Sequence, residues 1–220
     1  VEEIQKHIQS RLRGILSFLV LNGYFPYDTF NVRSTPSSSA PAGRIDWANV
    51  KVSDLFEVKN VYLSSLFTLK PEQDKGDVPL FRPTSTIHNL VAGWIKHTKE
   101  AADKTYSGGS LMVSTDGEGS HTFSYVTPID FIPNSNTAVL VPKQPVPLSF
   151  RLFIAAAISN ERWRYSYGRK PKSGRLKNLI LKVPLDAKGA VDFNAFEEVA
   201  KSCPEYPLVE SYFNLVASTA

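Results

Sequence analysis

"DWANVKVSDLFEVK", residues Asp46–Lys59, is a segment in which short apolar runs replace the helical pattern of the chain before it. Val50 and Val52 alternate with polar residues, and a second apolar run begins at Leu55, so each run has the length of a strand. Similar runs recur between loops rich in Gly, Ser, Asp and Pro: Val78–Phe81, Leu111–Val113, Phe123–Val126, Ala138–Val141 and Leu179–Val183. These runs predict an irregular, mainly antiparallel sheet.

Helical patterns lie on both sides of this sheet region. Residues 3–22 place apolar side chains at steps of three and four, which predicts an amphipathic helix, with Gly23 as its C-terminal stop. The apolar positions of that helix are Ile4, Ile8, Leu12, Ile15, Leu16 and Leu19. A second helix is expected with Ser149 as its N-cap, and short C-terminal helices are expected around Ala195–Lys201 and 208–217. The predicted fold class is therefore α+β.

The segment Pro26–Arg44 is rich in Ser and Pro, a composition typical of an extended connector. We therefore divide the chain into residues 1–43, an N-terminal helix with its connector, and residues 44–220, a sheet domain with an acidic helical tail. The entry helix and connector suggest a domain appended to an upstream unit.

Charge is distributed unevenly along the chain. The net charge is +4, and residues 185–220 hold six acids against two bases, so residues 1–184 carry +8. This asymmetry favours a polyanionic partner, although lysines on a solvated face give the same count. Cys203 is the single cysteine, which excludes an internal disulfide and favours a reducing, cytoplasmic location. No run reaches the roughly 18 apolar residues that a membrane span needs, so no membrane partner is expected.

The segment Arg164–Lys182, RYSYGRKPKSGRLKNLILK, holds seven basic residues and no acidic one. Tyrosines and glycines are interleaved with these bases, so the side chains can reach phosphates and base edges from a glycine-hinged loop. Two other interpretations stay open: a solvated basic loop before a core strand, and RNA binding with Tyr165 and Tyr167 stacked on single-stranded bases.

Four segments, in this order and spacing, resemble the target-recognition domain of type I restriction-modification DNA specificity subunits. They are Trp47–Lys59, then VPLFRPTSTIHNLVAGWI (Val78–Ile95), GGSLMVSTDGEGSHTFSYV (Gly108–Val126) and RYSYGRKPKSGRLKNLILKVP (Arg164–Pro184). The resemblance covers about residues 45–185, and the last segment is its most specific part. The same domain occurs in type IIB and type IIG systems. Type I subunits usually carry two such domains separated by long helices, whereas this chain shows one.

The resemblance implies that residues 44–220 are a prokaryotic DNA target-recognition domain without catalysis or cofactor of its own. Its partners would be double-stranded DNA, an adenine-N6 methyltransferase subunit or domain that binds S-adenosylmethionine, and a nuclease subunit in systems that also restrict.

Carried over residue by residue, the resemblance places candidate base readers after the run Val78–Phe81, and they are Arg82, Thr84, Ser85 and His88. Lys96 and Lys99 are candidates for phosphate contact. Two further loops and their flanks supply Lys104, Ser107, Arg164, Tyr167, Arg169, Lys170, Lys172 and Arg175.

The main alternative is a magnesium-dependent restriction nuclease. Asp46 with Glu57 and Lys59 imitates the Asp plus Glu-x-Lys set that binds magnesium and positions water. A methyltransferase is excluded because the chain has no Asn/Asp-Pro-Pro-Tyr/Phe motif to hold a flipped adenine.

Two further features have structural interpretations. Asp116 and Glu118 lie in a Gly-rich segment and are interpreted as part of a solvated turn, because two acids seldom suffice to bind a cation. Trp47, Trp94 and Trp163 are expected to pack in the core or against the sheet.

Overall fold

The computed structural model describes residues 2–22, 46–60, 67–117 and 119–219. The predicted connector, Pro26–Arg44, therefore lies outside the described residues, as do Gly23 and Glu118. The helices are α1 (Glu2–Leu21), α2 (Val52–Leu55), α3 (Lys99–Ala102), α4 (Leu148–Asn160), α5 (Ser173–Lys177), α6 (Phe193–Lys201) and α7 (Tyr206–Thr219). Short 3-10 turns lie at Ile87–Asn89, Glu161–Arg164 and Tyr167–Arg169.

The strands form three small sheets. They are β1 (Asp46–Lys51), β2 (Phe56–Asn60), β3 (Val78–Phe81), β4 (Val91–Ile95), β5 (Leu111–Ser114), β6 (Ser124–Val126), β7 (Ile132–Pro133), β8 (Thr137–Pro142) and β9 (Ile180–Leu185). Their orders are β1-β9, β2-β8-β5-β6 and β4-β3-β7. Every pairing is antiparallel except β3 with β7, which confirms the predicted α+β fold with a mainly antiparallel, irregular sheet.

The opening strand ends earlier than its apolar pattern predicts. Val52, expected to extend β1, instead begins α2 and is fully buried. The backbone N–H of Lys51 donates to the Asp54 carboxylate at 3.2 Å, and the backbone N–H of Val52 donates to the carbonyl of Leu179 at 2.9 Å. The chain therefore turns from the β1-β9 pair into β2 through a single helical turn.

Helix α1 presents the predicted apolar stripe to the same core as the sheets. Ile8, Leu12 and Leu19 are fully buried, and Phe18 meets Phe81 of β3 edge to face at 6.4 Å between ring centroids. Buried residues of α4, α6 and α7 belong to the same hydrophobic cluster. The division of the chain at residue 43 stays a prediction.

Two predicted helix boundaries change. Pro147, not Ser149, occupies the N-cap of α4, and the buried Ser149 hydroxyl instead donates to Oε1 of Glu197 at 2.5 Å. Helix α7 spans 14 residues rather than one or two turns. Pro207 does not break it, because a proline in the first turn removes an N–H that has no helical partner. Among the described residues, none of the helices combines the length and apolar character that a membrane span requires.

Candidate nucleic-acid interface

Three loops from different parts of the chain contact one another. They are residues 82–86 after β3, residues 115–117 and 119–123 between β5 and β6, and residues 161–177 after α4, and we call them the converging loops. Pro83 lies beside Gly117, so that a Cβ added to this glycine would be 3.6 Å from the proline ring. The guanidinium of Arg162 lies over the ring of Phe123, 4.9 Å from its centroid. These contacts bring together segments that the sequence keeps far apart.

The loop after β3 is held by its own hydrogen bonds. Arg82 is exposed, and its Nε donates to the carbonyl of Asn89 at 3.0 Å. Thr84 is only 7% exposed, and its hydroxyl donates to the carbonyl of Thr86 at 3.1 Å. Tyr125 donates from its hydroxyl to the Thr84 carbonyl at 3.0 Å. Burial therefore counts against Thr84 as a direct base reader, and makes it the residue that shapes the loop.

The two other candidates on this side of β3 are exposed. Ser85 lies next to Thr84 at the surface of the loop. His88 lies in the 3-10 turn before β4, where its Nε2 is 3.4 Å from the hydroxyl oxygen of Ser17 on α1. The first helix therefore borders the candidate interface.

The loop between β5 and β6 contains left-handed backbone. Gly117 has a φ of +102°, and Thr122 has a φ of +65°, which is uncommon for a β-branched residue. Thr122 is fully buried, and its backbone N–H donates to the Ser114 carbonyl at 2.9 Å. Its neighbour His121 is also buried, and the ring Nε2 makes no hydrogen bond within the described residues. Conformations of this kind concentrate at binding sites, where surrounding structure holds them.

The basic segment is partly helical rather than an open loop. The 3-10 turn Tyr167–Arg169 and helix α5 frame it, and it packs onto the β5–β6 loop through Lys170. The ammonium of Lys170 lies 2.7 Å from Oδ1 and 2.8 Å from Oδ2 of Asp116, and the Lys172 ammonium is 4.0 Å from the same carboxylate. The carbonyl of Lys170 accepts a hydrogen bond from Arg175 at 3.0 Å.

Asp116 is therefore a paired carboxylate, which corrects its interpretation as part of a solvated turn. Its side chain is 19% exposed. The hydrogen bond from Lys170 lowers the pKa of Asp116, against the opposing effect of burial, and the Gly117 N–H lowers it further. Sequence spacing alone could not find this pair, because 54 positions separate the two residues.

Two aromatic side chains stand out from the basic segment into solvent. Tyr167 is 78% exposed, and the Lys170 ammonium lies over its ring, 4.6 Å from the centroid. Trp163 is 77% exposed, which contradicts its expected place in the core. The Arg164 guanidinium lies over the Trp163 ring at 4.9 Å, and its Nε is 2.5 Å from Oε2 of Glu161. Each ring thus carries a cation on one face.

Arg164 also lines a groove of about 560 Å³. Trp47 and Asn49 of the β1-β9 pair line this groove together with Phe153 of α4. Trp47 is 42% exposed in this groove rather than buried in the core. The groove adjoins the converging loops.

Four predicted residues lie elsewhere: Lys96, Lys99, Lys104 and Ser107. Lys96 follows the last residue of β4, whereas Arg82 follows the last residue of the antiparallel β3, so the two lie at opposite ends of one sheet. Tyr106 pairs with Phe131 just before β7, which runs parallel to β3, and this places Ser107 at the Lys96 end. The structure does not bring these four residues to the converging loops.

The candidate nuclease residues are not assembled. Asp46 begins β1 and pairs with Leu185, whereas Glu57 lies on β2 in another sheet, opposite Val141. Lys59 forms an exposed ion pair with Glu57 at 2.6 Å. The described ranges contain no group of three or more His, Cys, Asp or Glu residues that could hold a metal ion. The geometry does not support the nuclease alternative.

A family model described as the type I restriction modification DNA specificity domain matches residues 44–203. The chain belongs to this family. The matched range contains all three converging loops of the specificity domain, together with every residue that the sequence proposed for DNA contact. The resemblance seen in the sequence is thereby confirmed.

Solved structures similar to this specificity domain include S subunits of type I restriction-modification systems. The S subunit from M. genitalium has a TM-score of 0.52 at 11% identity, over 99% of this chain and 53% of that chain. The HsdS subunit from Thermoanaerobacter tengcongensis has a TM-score of 0.45 at 14% identity, over 99% of this chain and 47% of that chain.

A third structure concerns complex assembly and conformational transition of a type I restriction-modification system. It has a TM-score of 0.46 at 16% identity, over 100% of this chain and 50% of that chain. The specificity domain thus spans about half the length of the structures it matches. No curated protein matches the sequence.

Proposed function

We propose that this specificity domain recognises a sequence in double-stranded DNA and directs an adenine-N6 methyltransferase to it, without chemistry of its own. The observation that carries the proposal is the meeting of the converging loops, which bring together exposed cations, hydroxyl groups and two exposed aromatic rings. The exposed cations of these loops are Arg82, Arg162, Arg164, Arg169, Lys172, Arg175 and Lys177.

These residue types suit duplex DNA for separate reasons. Arginine and lysine bind phosphate oxygens and release condensed counterions, which supplies affinity that does not depend on sequence. Arginine also binds the O6 and N7 atoms of guanine in the major groove through two parallel hydrogen bonds, which supplies sequence preference. Arg82 and Arg169, from different loops, are the arginines we assign to base reading.

The partners follow from family membership. A specificity domain has to act with subunits that perform the chemistry, so we propose a methyltransferase subunit or domain that binds S-adenosylmethionine and, in a restricting system, a nuclease subunit. Membership of the type I restriction modification DNA specificity domain family supports such an assembly.

A salt series on duplex binding tests the proposal. The probe is a duplex selected from a randomised library by the wild-type chain, and binding is measured by fluorescence anisotropy. The affinity should fall steeply as salt rises, and Arg169→Ala and Arg175→Ala should each weaken binding by about tenfold. Lys188→Ala is the control, because Lys188 is exposed on the acidic C-terminal part of the chain.

Two results would count against the proposal. Near-wild-type affinity in both arginine variants would remove the basic segment from the interface. Displacement of the duplex by single-stranded RNA at equal concentration would favour the alternative of single-strand binding, in which the exposed Tyr167 ring stacks on a base.

A further inference from the structure

We propose that Asp116 is a specificity-determining residue, whose negative charge offsets part of the positive charge of Lys170 and Lys172 and thereby weakens sequence-independent binding to DNA phosphates. This inference rests on the proposed function, because it concerns the same surface. Asp116 lies in the β5–β6 loop and contacts the basic segment, and the proposal gives this acidic side chain a role in discrimination between DNA sequences.

Asp116 is held in place by its own loop and by Asn136, the residue before β8. The backbone N–H groups of Thr115 and Asp116 both donate to the carbonyl of Asn136, at 2.9 and 3.2 Å. Oδ1 of Asp116 accepts from the Gly117 N–H at 2.8 Å, and the hydroxyl of Ser120 donates to the Asp116 carbonyl at 3.1 Å. The acid is therefore fixed before any partner binds.

Lys170 is enclosed by groups that compete with phosphate. Its ammonium contacts both carboxylate oxygens of Asp116 and lies over the ring of Tyr167. Arg175 fixes its backbone carbonyl. Lys172 is 68% exposed and lies at the outer limit of an ion pair with the same acid, 4.0 Å away. A phosphate that approaches either lysine meets the negative charge of Asp116 as well.

The effect of this charge differs between the two kinds of DNA complex. Binding to an arbitrary sequence depends almost wholly on phosphate contacts, so an acid among the cations weakens it directly. Binding to the correct sequence also gains hydrogen bonds to base edges, which offset the loss of part of the phosphate attraction. An acid at this position therefore raises the ratio of specific to non-specific affinity.

Asp116→Asn tests the proposal because the amide oxygen of asparagine can still accept from the Gly117 N–H. Two probes are compared by fluorescence anisotropy: a duplex of arbitrary sequence, and the duplex selected by the wild-type chain. We expect affinity for the arbitrary duplex to rise by about five- to tenfold, and the slope of log affinity against log salt to steepen by about one. Affinity for the selected duplex should rise less, so the specificity ratio falls.

Two controls separate this role from a general change in charge. Asp74→Asn removes the same charge from an exposed aspartate that pairs with Lys70 at 2.7 Å, away from the converging loops, and should leave the ratio unchanged. The double variant Asp116→Asn with Lys170→Ala should lose most of the gain in non-specific affinity. Thermal unfolding of each variant checks that the fold is intact.

Several outcomes would overturn the inference. Unchanged affinity for both duplexes in Asp116→Asn would show that its charge does not act on binding. Weaker binding of both duplexes would make Asp116 a residue that only positions the basic segment. If the wild-type chain neither binds nor selects any duplex, the proposed function is overturned together with this inference. The measurement on the wild-type chain alone identifies that outcome.

Discussion

Arg13 and Glu205 form an ion pair at 2.7 Å between Nε and Oε1, although 192 positions separate them. The pair joins the first helix to the turn between α6 and α7. Since Arg13 is 57% exposed, its charge contributes little to stability, and the helix is held chiefly by the apolar face beside it. Helix α1 therefore packs beside the C-terminal helices α6 and α7.

Leu12→Ala should destabilise the chain strongly. Leu12 lies on α1 and is fully buried in the core. Its truncation removes apolar contacts and leaves a cavity, at a cost of about 2–5 kcal/mol. Urea unfolding measures the change in free energy. Leu21→Ala, at the 59% exposed end of the same helix, is the matched control and should stay within about 0.5 kcal/mol of wild type. Equal stabilities of the two variants would show that α1 does not belong to the core in solution.

Gly117→Ala should destabilise the β5–β6 loop. The residue has a φ of +102°, and an added Cβ would lie 2.6 Å from the hydroxyl oxygen of Ser120, so the substitution should cost about 1–3 kcal/mol. Gly174→Ala is the contrasting change, because Gly174 lies in α5 with nothing within 4 Å of an added Cβ. Alanine there should stabilise by about 0.5–1 kcal/mol, since glycine weakens a helix. Thermal unfolding compares both variants, and a stable Gly117→Ala would mean that this loop adopts another conformation.

Elements with a clear apolar period could be predicted from the sequence. The stripe on α1 and the apolar runs that became β3, β5, β8 and β9 lie within a few residues of their predicted positions. Strand β7 could not be found, because Ile132 and Pro133 form it alone and two residues show no period. Helix α2 was missed for a different reason: Val52 continues the alternating pattern of β1, and only its hydrogen bond to Leu179 shows where the strand ends.

The candidate site was predictable in its composition but not in its arrangement. The excess of basic residues in Arg164–Lys182 is visible in the sequence, and the structure places Arg169 and Arg175 at the surface. The contact of Asp116 with Lys170 and the burial of Thr84 depend on which loops meet in space. Sequence reasoning treats the polar residues of a loop as equally exposed. In the structure, Thr84 is buried and holds the loop after β3, whereas Asp116 forms an ion pair with Lys170.

The thiol of Cys203 should stay unreactive until the chain unfolds. Burial raises the pKa of this thiol to about 11, and the nearby Glu205 carboxylate acts in the same direction. Because the thiolate is the reactive form, iodoacetamide should label the native chain slowly at about pH 8 and label it rapidly in urea. Rapid labelling without urea would mean that the C-terminal helices open locally.

The same pKa gives a dependence of stability on pH. The folded state disfavours the thiolate of Cys203. The contribution of this thiol to the free energy of unfolding is therefore complete below its unfolded pKa of about 8.5, and it is lost as the pH rises toward its folded pKa of about 11. We expect the difference in unfolding free energy between the wild type and Cys203→Ala to shrink between about pH 8 and about pH 11. Urea unfolding across this range measures it, and a constant difference would contradict the raised pKa.

Arg82→Ala should weaken duplex binding more than Lys99→Ala does. Both residues were assigned to DNA from the sequence, but β3 and β4 place them at opposite ends of the β4-β3-β7 sheet, and Arg82 alone lies in the converging loops. Loss of an arginine that reads a base should weaken binding to the selected duplex by about 1–3 kcal/mol and relax the sequence preference at that base pair. We expect this result for Arg82→Ala, and affinity and sequence preference close to wild type for Lys99→Ala. Fluorescence anisotropy with the selected duplex and with duplexes changed at single base pairs measures both quantities. If both variants lost the same affinity, the duplex would lie along the length of the sheet, about 15 Å from end to end for strands of this size, instead of over the converging loops.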